Sequence, residues 1–539
     1  MRISVLISAL FTVLFLQGIA QDAKTAWDNT ISKNWPEGFT QVEIKSIVDG
    51  KIQPAVCYKT KQKNQQPLIV SLHTWSGDYL QEDPLAAEVA LRDWNYIHPD
   101  FRGPNNNPDA CGSELVIQDI EDAIRFAIQN GNVDTSEVHI IGVSGGGYAT
   151  LLSFMKLKYP VKSFSAWASI SNLEDWYFES KGRNQRYAKD VEGVTTGGKG
   201  FDAAEARKRS PLFMEFNPEL RKNATLRIYT GIHDGYTGSV PITHSINMFN
   251  KLLVEIYPEK TEESVPDSLK LVLVEKRMNP AGFHGILGGR NIHLQRCLPK
   301  LSLTIFEGTH EMLVPQALSL LPVGKTRNLP PLNILTIGDS NGAAENGWPS
   351  QLRKLLPNST VINKSISGNT IGFDNLGQEK LNTLKNIEKY LEEAKTEWGS
   401  NRNFDAILIG LGTNDTKKIF ENQQNEVPEN LGLLLEKIQN HFKNSDEELP
   451  AIYLITPPPM EEDKADQAKY GGGNERIAIN NIQFKKVAEK HKTGFIDINA
   501  ELKKAGAGFT TDGVHLITKA QFEVAGIIAR HLNHKNVQK

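Results

Sequence analysis

Two serines in this chain stand where a tight turn would push a hydroxyl outward. Ser144 lies in Gly142-Val143-Ser144-Gly145-Gly146-Gly147, and Ser340 ends the run Asn333-Ile334-Leu335-Thr336-Ile337-Gly338-Asp339-Ser340. A serine hydroxyl is a poor nucleophile until an imidazole takes its proton and a carboxylate orients that imidazole. Both partners are available downstream of each serine. After Ser144 come Asp234, in His233-Asp234-Gly235, and His310, in Glu307-Gly308-Thr309-His310-Glu311. After Ser340 comes Asp512-Gly513-Val514-His515, a spacing that lets one turn hold both groups. These sets point to acyl transfer through serine. His233, His244, His284 and His293 compete with His310; none follows a final strand as it does, and each reads as structural or as a substrate contact.

The elements that must position these groups are legible in the apolar pattern. Gln41 to Lys45 and Ile52 to Tyr58, around Asp49-Gly50, predict a leading hairpin. Pro67 to His73 predicts a buried strand running into the loop Thr74-Trp75-Ser76-Gly77-Asp78. Ile117, Ile120, Ile124, Ala127 and Ile128 recur at helical spacing. Val138 to Ile141 leads into the Ser144 turn, and Tyr148 to Leu157 predicts a helix. Leu226 to Gly231 is a strand before Asp234, with a helix over 241–254, and Leu301 to Phe306 is a strand before His310. Strands alternating with helices at this rhythm imply a parallel sheet covered on both faces. Past a Pro-bearing join, Asn333, Thr360, Asp405 and Ala451 open further strand-like runs, with a charged, exposed helix over 381–398 and a helix over 480–491. This is a second α/β layer whose polar residues gather at strand ends.

The residues around Ser144 form a Gly-x-Ser-x-Gly turn between a strand and a helix, the nucleophile elbow of the α/β-hydrolases. Asp100-Phe101-Arg102-Gly103, Gly142 to Tyr148, His233-Asp234-Gly235 followed by Val240 to Ser245, and Glu307 to Glu311 together resemble the prolyl oligopeptidase-type branch of that fold. The resemblance implies that the acid and then the base follow the serine, hence Asp234 and His310. It implies oxyanion donors on Gly145 and on the Thr74-Trp75 loop, with Trp75 supplying the second N–H. That branch includes peptidases and carbohydrate esterases. The stretch between the expected leader and the Pro67 strand is too short for a propeller, so the gate that restricts such peptidases to short peptides is not expected. The insertion over 172–221 (Trp176, Tyr177 and Phe178, then Lys and Arg) stands where such folds carry a lid. It reads equally as a specificity element for a hydroxylated or weakly acidic substrate and as a solvated helical cap.

The second half carries Gly-Asp-Ser at 338–340, Ser367-Gly368-Asn369, Gly412-Thr413-Asn414-Asp415, and Asp512-x-x-His515, in that order. These resemble the four sequence blocks of the SGNH (GDSL-type) hydrolases over the last two-fifths of the chain. The resemblance implies a flavodoxin-like α/β domain with Ser340 as nucleophile, His515 as base and Asp512 as its orienter. The oxyanion would be held by the N–H groups of Ser340 and Gly368 and by the Asn414 amide. Asn341 stands where the name motif has Leu.

Composition sets the frame. The chain has 539 residues, 39% hydrophobic and 23% charged, which fits an ordinary globular protein of two or three domains. A net charge of -3 gives no basic surface for nucleic acid. Met1 to Ala20, with Arg2, an apolar run from Val5 to Leu16 and a small-x-small end, reads as a secretory signal peptide. No later run is long enough to span a bilayer. The three cysteines Cys57, Cys111 and Cys297 allow at most one disulfide. The expected layout is a leader at 1–20, an α/β-hydrolase domain at 21–325, a join at 326–332 and an SGNH domain at 333–539. The expected activity is that of an exported two-site serine carboxylesterase removing O-acetyl or related esters from a polysaccharide or its oligosaccharides. No metal or cofactor is expected. The alternative is a prolyl oligopeptidase-type peptidase with an accessory esterase.

Overall fold

Fifteen runs of mostly buried residues pair into two sheets in the computed structural model, which describes residues 35–324, 331–399, 403–445, 447–504 and 507–535. The expected leader, and the expected join up to residue 330, lie outside the described residues. The first sheet contains β1 (Thr40–Lys45), β2 (Ile52–Tyr58), β3 (Gln66–Leu72), β4 (Asn95–Pro99), β5 (Val133–Val143), β6 (Ser163–Trp167), β7 (Thr225–Gly231), β8 (Ile286–Leu287), β9 (Arg290–Cys297) and β10 (Leu301–Phe306). Their order is β1-β2-β4-β3-β5-β6-β7-β10-β9-β8. The middle, from β4 to β10, is parallel as expected. Both edges are antiparallel. At the β10 side the reason is loop length: only Leu298 to Lys300 joins β9 to β10, far too short for a parallel crossover.

The helices over the first sheet follow the sequence pattern. Glu114–Asn130 buries Val116, Ile117, Ile120 and Ile124 on one face, and Ser113 Oγ caps it by accepting from Val116 N at 3.3 Å. Gly145–Lys156 begins directly after Ser144 rather than at Tyr148, so all three glycines lie inside its first turn.

The second sheet is wholly parallel: β11 (Asn333–Gly338), β12 (Thr360–Asn363), β13 (Ala406–Gly410), β14 (Ala451–Ile455) and β15 (Gly494–Ile496). The order β12-β11-β13-β14-β15 is the doubly wound flavodoxin-like one. Such sheets bind ligands where the winding reverses, at the carboxyl ends of the strands corresponding to β11 and β13. Two helices differ from expectation. Thr383–Trp398 buries Ile387, Tyr390, Leu391 and Ala394, so it is amphipathic rather than fully exposed. The helix expected from Asn480 starts at Gly473, because Gly472 takes φ 71° and turns the chain into it.

The halves touch directly. Glu88 Oε2 pairs with Arg92 at 2.8 Å, and its Oε1 accepts from Lys354 Nζ at 2.9 Å, all three side chains being mostly buried. Arg92 also lies 4.8 Å from the centre of the Phe522 ring. Among the described residues no helix is long and apolar enough to cross a membrane, and Cys57, Cys111 and Cys297 are free thiols.

Glu88 is the shared counter-ion of two buried cations. Glu88→Ala should therefore destabilise the chain by about 3–5 kcal/mol. Lys354→Met, which leaves the Glu88–Arg92 pair intact, should cost much less. Urea denaturation of the two variants separates these outcomes; equal losses would contradict the shared-counter-ion account.

Candidate active sites

β5 runs straight into Ser144, which is held at φ 58° and ψ -119°. A non-glycine residue in so sparsely populated a region costs of order 1–3 kcal/mol. The neighbouring glycines are required for space. A Cβ on Gly145 would lie 2.2 Å from Trp75 N, and one on Gly146 would lie 2.1 Å from Leu72 O. The Thr74-Trp75 backbone therefore rests against the residue that follows the serine. Asp234 follows β7 and His310 follows β10, so both leave the edge of the sheet at which Ser144 stands. His310 Nδ1 bonds Asp234 Oδ2 at 2.8 Å. Asp234 Oδ1 accepts from Gly235 N at 2.9 Å and Val240 N at 3.0 Å, and the carboxylate is fully buried. The structure brings the acid and the base together. Ser144 Oγ makes no hydrogen bond to another described residue; unliganded catalytic contacts of this kind often tighten only with substrate.

The insertion is built into this site. Trp176 packs edge-on to Trp75, ring centres 4.5 Å apart, and Asp190 Oδ2 accepts from Trp75 Nε1 at 3.1 Å. Arg183 donates to Gly235 O, Gly238 O and Ser239 O at 2.9–3.1 Å, and Trp176 Nε1 donates to Ser239 O at 2.9 Å. One segment thus holds both the Thr74-Trp75 loop and the loop that carries Asp234. A merely solvated cap would touch neither. Arg183 was invisible in the sequence, because its three acceptors are backbone carbonyls more than fifty residues away.

The other histidines have partners of their own. Glu307 bridges His233 at 2.6 Å and His293 at 2.8 Å. His244 bonds Glu179 at 2.9 Å, and His284 lies 3.2 Å from Asn279. Cys111 is buried with its Sγ 3.4 Å from the Tyr148 hydroxyl, and burial pushes its thiol up to about 12.

The second site is fully assembled. Ser340 Oγ lies 3.0 Å from His515 Nε2, and His515 Nδ1 lies 2.7 Å from Asp512 Oδ2. Burial raises the Asp512 pKa, but the His515 and Val514 backbone N–H groups and the His515 ring outweigh it and hold the carboxyl down at about 2. The pair is open to solvent, the side chains of His515 and Asp512 being 47% and 55% exposed. Asn414, after β13, is buried and donates from Nδ2 to Asn369 O at 2.9 Å. One of its two amide hydrogens is thereby fixed and the other is left for a ligand. Gly368 takes φ 90°, which a side chain would resist. Among the described residues the N–H groups of Ser340 and Gly368 have no acceptor.

Three residues beyond the expected set organise this site. Asn341 Oδ1 accepts from Leu516 N at 2.9 Å and its Nδ2 donates to Val514 O at 3.3 Å, tying the flanks of His515 to the residue after Ser340. Its position in the name motif was the available signal. Asp415 accepts the Ile371 N–H at 2.9 Å. Lys417, beyond it in the same turn, is buried.

Burial pushes the Asp415 carboxyl up to about 7, against the Ile371 and Gly372 N–H groups and with the Asp339 charge adding to the rise. An unfolded aspartate titrates near 3.9. Between about pH 4 and 7 the unfolded chain releases a proton that the folded one keeps, so this group lowers stability as pH rises through that window. Asp415→Asn should gain stability over the parent as pH goes from 4 to 7, by at most about 4 kcal/mol. Denaturant midpoints of both chains across that range measure it; a pH-independent difference would contradict the assignment.

Two family models match stretches of the chain. Residues 335–521 match the GDSL-like Lipase/Acylhydrolase family, a span holding Ser340, Gly368, Asn414, Asp512 and His515. Residues 112–291 match the Prolyl oligopeptidase family, a span holding Ser144 and Asp234 and ending before His310. Among solved structures, Est24, a carbohydrate acetylesterase from Sinorhizobium meliloti, is 21% identical with a TM-score of 0.32, over 38% of this chain and 99% of its own. The aryl esterase of M. smegmatis is 20% identical at 0.32, over 38% and 99%. The acylaminoacyl peptidase of Pyrococcus horikoshii is 20% identical at 0.32, over 40% of this chain but only 34% of its own length. The two family matches describe an α/β architecture in which a prolyl oligopeptidase-like region is followed by a GDSL-like (SGNH) region.

Proposed function

We propose that this chain is a two-site serine carboxylesterase that removes O-acetyl or related small acyl groups from a polysaccharide or its oligosaccharides. The observation that carries this reading is the continuous relay from Ser340 Oγ through His515 to Asp512, with contacts of 3.0 and 2.7 Å. In the proposed reaction Ser340 Oγ attacks the ester carbonyl carbon as its proton passes to His515 Nε2. Asp512 holds the ring so that Nδ1 keeps its hydrogen. The oxyanion is met by the N–H groups of Ser340 and Gly368 and by the free amide hydrogen of Asn414. Collapse of that intermediate expels the sugar oxygen, which takes the proton from His515. Water, deprotonated by the same ring, then cleaves the acyl-serine and releases the acid. These steps use only the chain's own groups and water.

The exposure of His515 and Asp512 supports an alcohol portion too large to enclose, such as a glycan chain. At the first site Ser144 takes the same role, with His310 as base, Asp234 as its orienter, and Gly145 and Trp75 as oxyanion donors. The leader expected at 1–20 supports action outside the cytoplasm. Two active sites on one chain raise the effective concentration of the second at a polymer held by the first. A peptidase activity of the Ser144 site is the second reading, favoured by the family match over residues 112–291.

Acid release from acetylated xylan, acetylated pectin and a feruloylated glycan, and methanol release from methylated pectin, test both readings with Ser144→Ala, Ser340→Ala and the double variant. Each single variant should lose release from at least one substrate by about 10⁴-fold or more, and the double variant should lose all of it. A double variant that still turned over these esters would sink the proposal. Cleavage of a prolyl amide that disappears in Ser144→Ala would give the first site to the peptidase reading.

A further inference from the structure

The turn after β13 grips the loop after β12 at consecutive points. Asn414 donates to Asn369 O at 2.9 Å, and Asp415 accepts from Ile371 N at 2.9 Å. The third grip runs through an intermediary. Lys417 Nζ donates to Asn375 Oδ1 at 3.0 Å, and Asn375 Nδ2 donates to Gly368 O at 2.6 Å. Lys417 is 4% exposed and Asn375 is 1% exposed. Burying an ammonium costs several kcal/mol unless a carboxylate sits against it. Among the described residues no carboxylate pairs directly with Lys417; the Tyr470 ring lies 5.9 Å from Nζ, and the charges of Asp415, Asp339 and Lys469 act on it from farther off.

Resting on the reading of Ser340 as an acyl-transfer nucleophile, we infer that Lys417 and Asn375 are positioning residues that set the Gly368 N–H for the oxyanion. Gly368 has no side chain to anchor it and sits at φ 90°, so its peptide planes need outside restraint. The Asn375 amide supplies that restraint by holding the Gly368 carbonyl. An asparagine side chain free to rotate would not hold it in one orientation; the Lys417 ammonium, which only donates, fixes Oδ1 on its own side and so leaves Nδ2 facing Gly368. Burial lowers the Lys417 pKa to about 8, with Lys469 adding to the fall and Asp415 and Asp339 opposing it, so the ammonium persists at neutral pH.

The test uses the full chain carrying Ser144→Ala, so that hydrolysis of p-nitrophenyl acetate reports Ser340 alone. Removing an oxyanion donor outright commonly costs about 10²–10³ in kcat. Lys417→Met and Asn375→Asp should each lower kcat by about 10-fold or more, with KM held within about twofold. Asn375→Asp is the sharper variant. It offers Lys417 a better acceptor, so the melting temperature should hold or rise while the donor to Gly368 is lost. Lys417→Arg, which still donates to Asn375, should recover most of the kcat. An Asn375→Asp chain with undiminished kcat would overturn the inference. So would a rise in KM alone, which would make Lys417 a ground-state substrate contact. If Ser340→Ala in the same background left turnover intact, the reading of Ser340 would fail first, separately from the behaviour of the Lys417 and Asn375 variants.

Discussion

The C-terminal domain is arranged around one contact, the 3.0 Å hydrogen bond between Ser340 Oγ and His515 Nε2, which spans 175 residues of sequence. A serine alcohol does no useful chemistry at neutral pH without it. Keeping it requires the end of β11 and a turn far beyond β15 to share one position. The winding of the sheet brings both near the point where strand order reverses. The fine placement is local: the Asn341 amide bonds Val514 O and Leu516 N on either side of His515, so nucleophile and base move as one body. Asp512 closes the turn, accepting from His515 at both the backbone and the ring.

In the proposed function the two halves reach the same chemistry by different routes. At Ser144 the hydroxyl is exposed by backbone strain, with glycines letting two strand ends crowd the elbow. Acid and base come from separate strands, and the inserted helices hold the acid loop in place through Arg183 and Trp176. At Ser340 acid and base share one turn, and polar side chains from a neighbouring turn hold the oxyanion loop. The first design depends on a helical segment packed across the site, the second on a buried amide network under an open one.

Much of this was legible because local chemistry coded for it. Gly142 to Gly147 marks a cramped strand-to-helix junction, and Ser144, Asp234, His310 and Ser340 follow strand ends that the apolar runs already marked, while Asp512 and His515 were marked by their own spacing. The flavodoxin-like order followed from the family resemblance. What escaped was set by long-range contacts that leave no local trace. Arg183 looked like one more surface cation, and Asn375 and Lys417 like ordinary loop residues. Their importance lies in carbonyls and amides supplied from elsewhere in the chain. The helix expected over 480–491 is longer than its reading, because only Gly472 needs the left-handed turn and Gly473 already begins the helix. The antiparallel pairing of β9 with β10 was likewise set by connection length rather than by strand composition.

The most direct test of the central claim is covalent capture of the nucleophile. Treating the full chain with a fluorophosphonate and mapping the modified peptide should place the phosphonyl group on Ser340, with the rate of its capture falling by about 10³-fold or more in His515→Ala. Capture of Ser340 at an undiminished rate without His515, or no capture of Ser340 at all, would contradict the account.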